Sequence, residues 1–192
     1  MRKNVLAFLG LILMMVFLGC EKGNGNVISQ ERNVEGFNGI KFEGVGNVNV
    51  YPGENYWVII KTDSNLMDRV LTTVSGNILQ ITQKSGQFNA SEITINVYMP
   101  EIKNITLNSA GNIKVFNGNY SELSISLSGA GNIEAQDLQV QNVTVNNSGT
   151  GNIKIWAINT LNGTLSGAGN ILYKGNPTIN INKTGAGNIN PL

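Results

Sequence analysis

The sequence predicts an all-β protein: a right-handed parallel β-helix with an N-terminal β-rich capping insertion that contains a short helix. Three observations carry this expectation. The 192 residues include 23 Gly and 30 Asn. Both are poor in helix and strand interiors and good at tight turns, and here they stand beside frequent Ile and Val. The tripeptide Gly-Asn-Ile/Val recurs at 46–48, 76–78, 111–113, 131–133, 151–153, 169–171 and 187–189, and the last five copies are spaced 20, 20, 18 and 18 residues. A near-fixed period of that size marks a solenoid. Before each late copy the chain alternates apolar and polar, as in Leu123-Ser124-Ile125-Ser126-Leu127 and Val143-Thr144-Val145, the period-two pattern of a strand with one buried face.

The chain opens with Arg2 and Lys3, then runs apolar from Val5 to Leu18. Two positive charges before a short apolar run read as a secretory signal over residues 1–19. The run is short for a membrane span, which needs about 20 residues. It ends Phe17-Leu18-Gly19-Cys20, and Cys20 is the single cysteine. The stretch resembles a bacterial lipobox, which implies cleavage before Cys20 and lipidation of its side chain. Two acyl signals suffice for stable membrane anchoring. Residues 20–36, with Gly23-Asn24-Gly25-Asn26, read as a flexible tether.

The domain proper is expected over 37–192. Phe37 to Pro52 aligns with the later coils through Ile40, Phe42 and Gly46-Asn47-Val48. Residues 53–101 break the period and read as the capping insertion. It holds strands at Tyr56–Ile60, Ile78–Ile81 and Ile93–Val97, and a short helix across Asp63–Leu71 with Ser/Asn capping. A solenoid needs such a cap to cover its open core and edge. Residues 102–192 read as regular rungs. At about 3.3 Å per residue, 18–20 residues trace one circuit of a narrow core, so equivalent residues stack about 4.8 Å apart. The repeated Ile would form an interior column. Asn112, Asn132, Asn152, Asn170 and Asn188 would form a side-chain amide ladder. The turn glycines are expected to serve positive φ and close approach between coils. Parallel coils follow the right-handed crossover rule.

In order, Phe37-Asn38-Gly39-Ile40, Thr62-Asp63-Ser64-Asn65-Leu66-Met67-Asp68, Leu79-Gln80-Ile81, Met99-Pro100-Glu101-Ile102 and the serial Ser-Gly-Ala-Gly-Asn-Ile turns resemble the auto-transporter adhesin head GIN domain family of bacterial envelope proteins. The resemblance spans Phe37 to Ile189. It implies a β-helix-like fold and supplies no catalytic motif.

Enzyme chemistry finds little support in the residues. With no His, the chain lacks an imidazole base or ligand, and one Cys excludes a cysteine-rich zinc site. In the late coils the acids are Glu122, Glu134 and Asp137, with none stacked on neighbouring rungs as a carboxylate pair for glycosidic cleavage would need. Calcium repeats place Asp where this chain has Asn or Ala. No catalytic residue, metal or cofactor is expected. Loss of Arg2 and Lys3 with the signal leaves 11 basic groups against 12 acidic ones, so no nucleic-acid partner is expected.

A binding surface is the better expectation. Counting three residues past each repeated Ile gives Phe116, Gln136, Trp156 and Lys174, with Phe116 and Trp156 as candidate sugar-stacking residues. The expected protein is thus a non-catalytic lipoprotein of the bacterial cell envelope, membrane-bound through Cys20. Its β-helical adhesion domain would face a glycan or an envelope protein. The alternatives are a structural, self-associating envelope protein and a polysaccharide-active enzyme.

Overall fold

The computed structural model describes residues 21–86 and 88–192. The signal sequence at 1–19 and Cys20 lie outside the described residues. The fold is all-β, and its one helical element among the described residues is a 3-10 helix at Ser64–Arg69. Among the described residues, fifteen strands join one sheet that curls into a nearly closed, barrel-like wall.

The sheet is mixed rather than uniformly parallel, and the two kinds of pairing come from different parts of the chain. Parallel pairing follows the repeat. Along one wall Ile40 pairs with Ile105, Ile105 with Ile125, and Ile125 with Val145. Along the other, Val48, Ile113, Ile133, Ile153 and Ile171 follow in register. All five are fully buried. This column takes the repeated apolar residue of five of the seven Gly-Asn-Ile/Val copies, and its burial sets the register. A one-residue slip would turn every such side chain to water.

Antiparallel pairing comes from the N-terminal half. Trp57–Asp63 runs antiparallel to Ile93–Met99 and to Val27–Arg32, and Val70–Ser75 forms a hairpin with Ile78–Gln83. That hairpin turns on Gly76 and Asn77, with φ of 58° and 62°, the pair of positive values a two-residue hairpin turn demands. One copy of the repeated tripeptide therefore makes a hairpin rather than a coil. The N-terminal half still joins the body, because Ile78–Gln83 pairs parallel with Gly39–Glu43 and Ile93–Met99 with Asn47–Pro52.

Two expectations change. The segment read as a flexible tether is built into sheet, with Glu21–Lys22 paired to Phe88–Asn89 and Val27–Arg32 to Trp57–Asp63. The late turn glycines do not adopt positive φ. They are needed for closeness: a Cβ on Gly131 would lie 1.6 Å from the Gly111 carbonyl oxygen, and one on Gly151 1.6 Å from that of Gly131.

The change from 20- to 18-residue spacing is absorbed at two irregularities of one strand pair, the larger between Ala135 and Gln139 and a smaller, compensating one between Val140 and Asn142. Ala135 pairs with Ile155, but the next pair is Gln139 with Trp156. Gln136, Asp137 and Leu138 form a bulge between them, a local bend of the kind extra residues impose on a ladder, with Asp137 exposed and Leu138 turned into the core.

Candidate functional site

The five asparagines of the repeat stand in line with Asn47 at the foot of the column. Asn112 Nδ2 donates to Asn47 Oδ1 at 3.2 Å. Asn132 donates its backbone N–H and Nδ2 to Asn112 Oδ1 at 3.1 and 3.2 Å. Asn152 does the same to Asn132 Oδ1 at 3.0 and 3.3 Å, and Asn170 to Asn152 Oδ1 at 3.0 and 2.8 Å. The Asn188 N–H reaches Asn170 Oδ1 at 2.9 Å. The Oδ1 atoms of Asn112, Asn132, Asn152 and Asn170 thus each accept a backbone donor at a turn, where the sheet ladder alone leaves it unmet.

Phe116 and Trp156 occupy different surroundings. Phe116 stacks on Tyr51 with centroids 4.6 Å apart and planes 8° from parallel, and Tyr51 stacks on Tyr98 at 4.9 Å. Trp57 closes the series, tilted against Tyr98 at 5.8 Å. The Lys114 ammonium sits 4.7 Å from the Phe116 centroid. Trp156 lies beyond the bulge, with Lys174 4.9 Å from its ring centroid. Equal counting from each Ile put Phe116, Gln136 and Trp156 in one column. The structure does not, because the bulge gives Trp156 the sheet partners Gln139 and Lys174.

The stack has a chemical consequence. Rings stacked face to face use the faces that a sugar ring would need. Phe116 has Tyr51 and Lys114 against it. The end of the series, Trp57, is 48% exposed. That these rings meet is not legible in the sequence, since Tyr51 and Tyr98 lie on separate strands and Phe116 directly follows a third. Cross-strand register was the missing signal.

A third cluster lies where the tether was expected. Asp63 is fully buried, and its carboxylate accepts from the backbone N–H groups of Gly25 and Ser91, each at 2.6 Å, and from the Ser91 hydroxyl at 3.1 Å. The Ser91 N–H above all holds the Asp63 carboxyl below its usual range; burial opposes this, and Gly25 assists. Asp63 stands at the N-terminus of Ser64–Arg69, yet it makes no side-chain cap bond to it. Around it, Asn24 donates to Asn65 Oδ1 and Ser64 Oγ, Asn65 donates to the Lys22 carbonyl, and Arg69 pairs with Glu21. Gly23 is required here, because a Cβ would lie 2.3 Å from Asp63 Oδ2.

The family model described as "Putative auto-transporter adhesin, head GIN domain" matches residues 36–117 and 107–177. The chain belongs to this family. No curated protein matches it. Among solved structures, this GIN-domain protein is similar to a putative adhesin from Bacteroides fragilis, at 22% identity and a TM-score of 0.61, over 89% of this chain and 99% of that one. It also matches a putative lipid binding protein from Parabacteroides distasonis, at 21% identity and a TM-score of 0.48, over 91% and 100% of the two chains. A putative adhesin from Parabacteroides merdae matches at 20% identity and 0.43, over 89% and 98%. The first likeness supports the fold.

The acids of this GIN domain's late coils are placed as follows. Glu134 pairs with Lys154 at 3.0 Å. Asp137 is exposed on the bulge, and Glu122 is exposed on another wall. Among the described residues, no group of three or more His, Cys, Asp or Glu could hold a metal ion, and no helix is long and apolar enough to cross a membrane.

Proposed function

We propose that this protein is a non-enzymatic, lipid-anchored protein of the bacterial cell envelope that presents its GIN domain for adhesion to a glycan or an envelope protein. The family match over most of the domain carries this reading. In it, residues 102–192 are the regular rungs of a right-handed parallel β-helix and 53–101 its cap. The parallel registers at 18–20 residues support this assignment. Cys20 is the lipidation site and the membrane contact. The clasp around Asp63 adds a geometric element: Glu21, next to Cys20, already lies in sheet and pairs with Arg69, so the anchor would join a fastened body rather than a loose leader.

The test has two arms. Cells making the wild-type chain or Cys20→Ser are labelled with a palmitate analogue and fractionated. Cells with and without the protein are then compared for retention on immobilised glycans and cell-wall fragments. Expected are label and membrane association that vanish in Cys20→Ser, and retention that depends on the protein. A wild-type chain without label, or equal retention of both strains, sinks the respective arm.

A second reading, self-association, draws on one observation. Among the described residues, Thr178–Lys183 pairs only with Ile153–Leu165. It therefore offers a free sheet edge beside Ile179, which is 39% exposed. Sedimentation across a concentration series separates the readings; a monomer at every concentration removes the second.

A further inference from the structure

The wall opposite the Asn ladder carries an open trough of about 560 Å³. Its lining follows from the parallel register. Asn104, Ser124, Thr144 and Asn162 stand side by side on successive coils. Two residues earlier on three of the same strands, Glu122, Asn142 and Thr160 form a second row. Leu123, buried between them, belongs to the floor. The rows repeat every coil, about 4.8 Å, and stand two residues apart, about 6.6 Å.

Resting on the glycan arm of the proposed function, we propose that this trough binds an uncharged polysaccharide chain lying along the coil axis. Shape comes first: the trough is large enough for a ligand yet open, which suits a polymer passing through. Chemistry comes second. The rows offer hydroxyls and amides, both donors and acceptors, the complement of a polyhydroxylated chain. Thr160 Oγ1 donates to Asn142 Oδ1 at 3.0 Å and Asn162 Nδ2 donates to Thr160 Oγ1 at 3.3 Å, which orients those groups. The Ser124 and Thr144 hydroxyls bond to no protein group among the described residues, so a sugar hydroxyl would replace only water there.

Competing ligand classes fit less well. A polyanion needs a cationic cluster, but the lining holds one cation, Lys103, which pairs with Glu101 at 2.8 Å, and one anion, Glu122. An extended peptide uses a free sheet edge or side-chain pockets, whereas Asn119–Leu127 and Ile133–Asn147 are paired on both sides. The repetition argues for a polymer, since hydrogen-bonding side chains at the same position of successive coils meet successive units.

The experiment is affinity electrophoresis of the full chain in detergent, through gels containing galactomannan, xyloglucan, a mixed-linkage β-glucan or the polyanion alginate. Wild type should be retarded by at least one neutral polymer. Ser124→Ala/Thr144→Ala should weaken that retardation at least fivefold, and Thr144→Arg should abolish it. Trp57→Ala and Trp156→Ala should leave it intact. Thr144 and Asn142 are exposed, so Asn142→Ala serves as the second variant if another loses its wild-type circular dichroism. The proposal is overturned if no neutral polymer retards the wild type, if alginate alone does, or if folded trough variants match the wild type. Loss in Trp57→Ala alone would also overturn it, by moving the site to the aromatic series. Protein-dependent cell adhesion without polysaccharide retardation would sink the trough and leave the adhesion reading standing.

Discussion

Gly151→Ala should damage this protein far more than an added methyl ordinarily does. Elsewhere, replacing glycine by alanine at a compatible site stabilises by about 0.4–1 kcal/mol, because the unfolded chain loses freedom. At Gly151 the new Cβ would lie 1.6 Å from the Gly131 carbonyl oxygen and 2.7 Å from its carbon. Real Cβ atoms keep at least 3.0 Å from such neighbours, so the two coils must part locally by about 1.4 Å. The obstacle is backbone, which cannot rotate aside. Four hydrogen bonds cross the gap at this turn. The N–H groups of Thr150 and Gly151 reach the Gly129 oxygen at 3.1 and 3.4 Å, and Asn152 reaches Asn132 Oδ1 at 3.0 and 3.3 Å. A separation of that size breaks them. At about 1 kcal/mol net each, the loss is about 4 kcal/mol. With a urea slope of about 2 kcal/mol per molar, the midpoint should fall by about 2 M, followed by circular dichroism. Thr150→Ala, exposed on the same turn, is the control and should stay within about 0.5 kcal/mol. A Gly151→Ala midpoint within 0.3 M of wild type, with unchanged slope, would refute the close-approach argument.

Other predictions follow from the remaining clusters. Asn132→Ala removes a link with partners above and below, and should cost about 2 kcal/mol, read by urea melting; an effect no larger than that of Asn188→Ala would deny the ladder any role in stability. Acid should loosen the clasp: Asp63 is held below its ordinary pKa of about 3.9, so its contribution is full above that value and is lost as pH falls through the lower folded value. Proteolysis at 23–26 by an acid-active protease should therefore accelerate below pH 4 in wild type, while Asp63→Asn should already be susceptible at pH 7 in a neutral-pH digest; equal protection of both at pH 7 would dismiss the clasp. A double-mutant cycle on Tyr51 and Phe116 should give a coupling of about 0.5–1.5 kcal/mol, and no coupling would mean that the stack is incidental. Glu134→Gln should shift stability by under about 1 kcal/mol, because its pairing with Lys154 is solvent-screened; a larger loss would show a buried role.

What could be read from the chain, and what could not, divides along contact range. The parallel strand pairings of the repeat were legible because their information is local and repeated. Gly-Asn-Ile fixes a corner, a ladder position and a buried side chain together, and 18–20 residues later the same three constraints return. Gly76-Asn77-Ile78 shows the limit of that logic. Its composition matches the corners, yet Val70–Ser75 on one side and Ile78–Gln83 on the other can pair only antiparallel across two residues, so the hairpin takes the glycine that elsewhere serves stacking. The aromatic series and the Asp63 clasp were not legible for a related reason. Trp57, Tyr98, Tyr51 and Phe116 become neighbours only once both the parallel and the antiparallel registers of the cap are set. Gly23-Asn24-Gly25-Asn26 has the composition of a linker, and becomes structure only because a carboxylate 38 residues beyond Gly25 meets its N–H. In this fold a short polar Gly/Asn segment is therefore ambiguous until its acceptor is known. The same Gly and Asn that mark flexibility in isolation also permit the closest backbone approach once a partner coil or a buried carboxylate is placed against them.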